Sequence, residues 1–129
     1  MANRLIETDE APAPFSAYSQ AVETPAGARL LHVSGQVGVT LDGELPSDPV
    51  EQHLLAWRNV IAILTAARMR KEDIVEVIAI VTDHDQVANF RVVRDRMLEG
   101  GKPASTLIVA GLANPDWKVE IAVRAARSD

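Results

Sequence analysis

The sequence predicts an α+β fold, with two amphipathic helices packed on one face of a mostly antiparallel sheet. Three observations predict it. Residues 50–67 and 87–97 repeat apolar side chains at spacings of three and four, the period of a helix face. Around them lie β-branched runs at 29–36, 74–82, 105–109 and 119–123. The resulting order, ββ, α, β, α, ββ, fits one helical layer on one sheet. The 129 residues suffice for a single domain with a real core, covering 1–129, and not for two.

Taken in order, residues 1–16, with Pro12, Pro14 and an acidic pair, read as an irregular lead-in. A first strand runs from Tyr18 to Glu23, and Pro25-Ala-Gly27 turns the chain into the strand at 29–36. There Leu31 and Val33 share a side and His32 faces away from the core. Gly35 and Gly38 let the backbone approach another group closely or bulge. A hairpin or loop follows around Leu41-Asp-Gly43.

Asp48 can cap the first helix, Pro49 suits its first position and Glu51 can complete a capping box. Val50, Leu54, Trp57, Ile61 and Leu64 form its apolar face, with Trp57 as a core residue rather than a ligand platform. The run 74–82 reads as a central strand covered on both sides. Asp83 with Gln86, or Asp85, caps the second helix. Its buried face is Val87, Phe90, Val93 and Met97, and Gly100-Gly101 ends it. Gly100-Gly-Lys102 is not a phosphate loop, because the preceding strand and the first glycine are missing.

Charge and composition narrow the function. A net charge of -5 argues against a nucleic-acid surface. The absence of cysteine excludes disulfides, thiolate catalysis and cysteine-ligated zinc. His32, His53 and His84 form no metal-binding pair, so neither a metal nor a cofactor is expected; His53 and His84 read as surface or capping residues. The first ten residues lack the apolar core of a signal peptide, and no apolar run spans a membrane. A cytoplasmic protein without a membrane partner is expected.

The stretch from Lys102 to Arg124 carries the chemistry. Glu120 lies on the opposite face of its strand from Val119, Ile121 and Val123. A carboxylate in an apolar strand belongs at a subunit boundary, in a polar pocket or on a wet outer face, because a buried unpaired charge is costly. Arg91 and Arg94, three apart on the second helix, read either as a solvated face or as an anion site. Tyr18 and Ser34 can be strand residues satisfied by the backbone.

Three motifs occur in order: Ala17-Tyr-Ser-Gln-Ala21, Val33-Ser-Gly-Gln36, and Lys102-Pro-Ala with Thr106, closed by Val119-Glu-Ile-Ala. Together they resemble the Rid family, also called YjgF or L-PSP, over nearly the whole chain. The resemblance implies a chorismate-mutase-like fold and a homotrimer with clefts between subunits. It also implies hydrolytic deamination of small enamines or imines, which gives a 2-keto acid and ammonia. It suggests catalytic roles for Glu120 and Tyr18, and small-molecule binding at Ser34, Gly35, Arg91, Ser105 and Thr106. The usual carboxylate-binding arginine is replaced here by Ser105, Leu107 stands at a position often held by cysteine, and Arg91 falls where an asparagine is common. The substrate expected is therefore not the standard 2-iminopropionate type. A non-catalytic binding or regulatory trimer on the same scaffold is the alternative.

Overall fold

In the computed structural model, which describes residues 2–129, the chain folds as β1 (Arg4–Ile6), β2 (Ala21–Glu23), β3 (Arg29–Val37), α1 (Pro49–Ala66), β4 (Ile74–Val81), α2 (Gln86–Leu98), β5 (Ala104–Val109) and β6 (Val119–Arg127). The main sheet has the order β3-β6-β4-β5. Its pairs are antiparallel except β4 with β5, which α2 joins as a parallel crossover. Both helices lie on one face, giving the α+β layer that the periodicities predict.

Helix α1 starts where Asp48 Oδ1 accepts from the Val50 amide at 3.0 Å, with Pro49 in the first turn. Glu51 makes no return bond among the described residues, so the capping box does not form. The buried stripe is Ala56, Trp57, Val60 and Leu64 together with Gln52 and His53. It is rotated from the expected face, and Val50 is left exposed. Gln52 can be buried because its amide bridges Pro46 O at 2.9 Å and the Lys118 amide at 2.8 Å. His53 is likewise buried rather than surface or capping, with Nε2 3.2 Å from Gln86 Oε1 on α2.

Helix α2 has no side-chain cap at Asp85, and the Asp83 carbonyl accepts from the Gln86 amide at 3.0 Å instead. It ends at Glu99, which takes a left-handed φ of 47°, followed by Gly100 at φ 88°. Its buried residues are Phe90, Val93, Arg94 and Leu98. No helix is long and apolar enough to cross a membrane among the described residues.

Several strands differ from their expected bounds. The lead-in is not wholly irregular, since β1 pairs antiparallel with β2. Tyr18 lies outside β2, and Ser19 instead bridges to Ala104 at the edge of the main sheet. Strand β4 is covered on one face only. Val77, Ala79 and Val81 are fully buried under the helices, whereas Ile78 and Ile80 are half-buried on the other face.

One irregularity positions the site. Val33 pairs with Val123 and Gln36 with Ile121, so Ser34 and Gly35 together oppose Ala122. This is a β-bulge, as the glycine suggested. Beyond it Val37 comes opposite Glu120.

Candidate functional site

Strand parity divides the predicted site residues between the two faces of the sheet. Glu120 pairs with Ile80 and Val37, and alternates with the buried Val119 and Ile121, so it projects from the face without helices. Thr106 pairs with Ile78 and shares that face. Ser105 pairs with Val77, and so points to the helical side.

On the open face, the Glu120 carboxylate lies over the bulge. A Cβ added to Gly35 would stand 2.5 Å from Glu120 Oε2 and 2.7 Å from its Cδ. Only glycine leaves room for the carboxylate there. The neighbouring charges are already matched, because Arg124 Nη1 donates to Glu76 across the β6–β4 pair. Among the described residues Glu120 has no ion pair or hydrogen bond, so its oxygens are free to take a proton donor from outside the chain.

On the helical side, a hollow of about 180 Å³ lies between α2 and the edge strand β5. Ser105 and Leu107 form one wall, Arg91 and Arg94 another, and Phe15, Ser16 and Tyr18 the third. Tyr18 Oη accepts from the Phe15 amide at 3.2 Å. Arg91 is exposed at the rim. Arg94 is 2% exposed, which overturns the solvated-face reading for that residue. Its guanidinium stacks 5.6 Å from the Phe90 ring centroid and donates to Asp95 Oδ1 through Nε at 3.0 Å and Nη2 at 2.9 Å. Nη2 also donates to Ser16 Oγ at 3.2 Å.

The chain thus brings Tyr18, Arg91 and Ser105 together in one hollow, and places Ser34, Gly35, Thr106 and Glu120 on the other face. Sequence reasoning missed Ser16 and Phe15 as parts of the hollow, and left Arg94 open between a solvated face and an anion site. A signal for Arg94 was present: it stands four residues after Phe90 and seven after Val87, on the buried stripe of α2. A larger hollow of about 420 Å³ near Asn3 and Ser128 has its charges matched internally, with Arg127 Nη1 3.3 Å from Asp73 Oδ2. Among the described residues no three histidine, aspartate or glutamate side chains cluster to hold a metal ion.

Comparison with known proteins decides the family. Residues 8–127 match the family described as endoribonuclease L-PSP. The chain belongs to the Rid (L-PSP) family. It is 30% identical over 129 residues to TdcF of Escherichia coli K12, a candidate reactive intermediate deaminase, covering 97% of this chain and 98% of that one. A RutC family protein of Aquifex aeolicus is 41% identical over 81 residues, 62% of each chain. Among solved structures, the Rid protein YyfB of Yersinia pestis superposes with a TM-score of 0.84 at 28% identity, covering 98% of this chain and all of that one. E. coli TdcF with bound serine gives 0.73 at 32% identity, covering 97% and 99%. These Rid structures share the arrangement of two helices on a mixed sheet.

Proposed function

We propose that this Rid-family chain hydrolyses the C–N bond of a small enamine, imine or related unsaturated acid, in a cleft between subunits, with Glu120 positioning and deprotonating the water. The observation that carries this reading is the unpaired Glu120 carboxylate folded over Gly35. Water adds to the imine carbon as Glu120 takes its proton. Glu120 passes that proton to nitrogen, giving a carbinolamine. The hydroxyl proton then moves to the amine, ammonia leaves as the C–N bond breaks, and a keto acid remains. The relative named as a candidate deaminase and the serine held by TdcF both support a small nitrogenous ligand.

Within one chain the two sets of candidate residues are separated by the sheet. Tyr18, Arg91 and Ser105 stand on the helical side and Glu120 on the open one. A second copy that seats its edge-strand hollow against the first copy's open face would unite the two sets. The open face suits such a contact, with Ile108 42% exposed beside the half-buried Ile78 and Ile80. We read the assembly as a cytoplasmic homotrimer. The endoribonuclease of the family's name is not the activity proposed, because a net charge of -5 repels a phosphate backbone.

The second reading, a binding or regulatory trimer, is favoured by Ser105, which removes a cationic clamp from the strand. Freshly generated 2-imino acids of increasing chain length separate the two. Hydrolysis that disappears in Glu120→Gln, with the fold retained by circular dichroism, supports the enzyme. Full activity in Glu120→Gln removes the assignment, and binding without turnover leaves the second reading.

A further inference from the structure

The hollow beside α2 is built from groups whose free atoms are hydrogen-bond donors. Ser16 Oγ accepts from Arg94 and Tyr18 Oη accepts from the Phe15 amide, so each hydroxyl keeps its own proton to give. Asp95 occupies the Nε and Nη2 edge of Arg94, through a single oxygen. Nη1 donates to no protein group among the described residues. Arg91 adds a second guanidinium at the rim, and no carboxylate lines the hollow. In a chain of net charge -5, a concave site that offers Arg91 and the open Nη1 of Arg94, with Asp95 behind Arg94 and outside the lining, suits an anion.

We propose that Arg94 is the fixed anchor for the carboxylate of a small organic acid, with Arg91 as its exposed second contact. The anion anchor of this chain thus comes from α2 rather than from β5. This rests on the proposed function and names its substrate class. Arg94 is suited to the role because Phe90, Asp95 and Ser16 hold its guanidinium before any ligand arrives, so little side-chain entropy remains to be lost. A carboxylate drawn against α2 leaves the space over Ser105 and Leu107 for the rest of the molecule. A volume of 180 Å³ equals that of about six waters, at ~30 Å³ each. That space admits an acid with an apolar chain longer than three carbons, resting on Leu107 and Phe15.

The test is binding of 2-oxohexanoate, a stable keto acid that mimics such an imino acid, to the full chain. Titration should move the Arg94 guanidinium signal in the ¹⁵N spectrum of the wild type. Arg94→Lys, which keeps the charge and removes the fork, should bind about tenfold more weakly or worse. Hexan-2-one, which lacks the carboxylate, should not bind. The inference is overturned if the wild type does not bind, if Arg94→Lys binds equally, or if the ligand binds without moving the Arg94 signal. Because the wild-type spectrum reads Arg94 directly, a poorly folded variant does not blur the result. Binding through Arg94 without any hydrolysis would leave this inference standing and remove the proposed reaction. Hydrolysis with an unchanged KM in Arg94→Lys would do the reverse.

Discussion

Glu120 and Gly35 act as one unit. The group a new methyl would meet at Gly35 is the end of the Glu120 side chain, which can swing away. Gly35→Ala should therefore change stability by less than about 1 kcal/mol while displacing the carboxylate, and turnover should fall with it. Gly38 is the contrast. A Cβ there would stand 2.3 Å from the Gln52 carbonyl oxygen, which is backbone. Gly38→Ala should cost about 1–3 kcal/mol. Paired melting and turnover measurements check both, and equal destabilisation at the two glycines would contradict the distinction.

Ser105 makes the second residue-scale prediction. With the carboxylate held from α2, a short acid lacks the strand-side charge-assisted hydrogen bond that would set its imine carbon against the water. Such a bond is worth roughly 1.5–3 kcal/mol, or about ten- to a hundredfold in transition-state binding. The wild type should be poor on 2-iminopropionate and Ser105→Arg should gain activity. Wild-type turnover matching that of an arginine-bearing relative would contradict this. Glu120 was legible in the sequence because strand parity isolates one carboxylate among apolar neighbours. The burial of Arg94 was not, because an arginine on a helix reads as solvated or as an anion contact until Phe90, Ser16 and Asp95 are seen around it.

At the scale of elements, the α1–α2 contact contains the buried His53. Burial pushes its imidazole below the ordinary value, opposed in part by the bond to Gln86. The unfolded chain takes up this proton near pH 6.5 and the folded chain resists it. Stability contributed by neutral His53 is thus complete above about pH 6.5 and declines as pH falls below it, by at most about 1.4 kcal/mol per pH unit. Urea midpoints between pH 7.5 and 5 should fall in the wild type and stay flatter in His53→Gln. A slope unchanged in the variant would place the effect elsewhere.

The elements legible in the sequence were those with clear periodic or β-branched runs, namely both helices, β3, β4, β5 and β6. Strand β1 was missed because three residues carry no period, and its pairing with β2 is long-range. The buried face of α1 was misplaced because Gln52 and His53 are polar by type, and only their partners on other elements make burial tolerable.

For the whole molecule, the sheet is the decisive object. One face carries the helices and the other carries Glu120 among exposed and half-buried isoleucines, so a single chain holds its two candidate half-sites back to back. Light scattering should return a trimer at micromolar concentration. The most direct test of a shared site is subunit mixing. Glu120→Gln removes the water-side group, and Ser105→Trp fills the hollow, so each variant alone should be inactive. In randomly mixed trimers about three-quarters contain both variants, each with one intact site of three, so activity should return to about a quarter of wild type. Activity that stays at the sum of the two inactive parents would contradict a site assembled between copies.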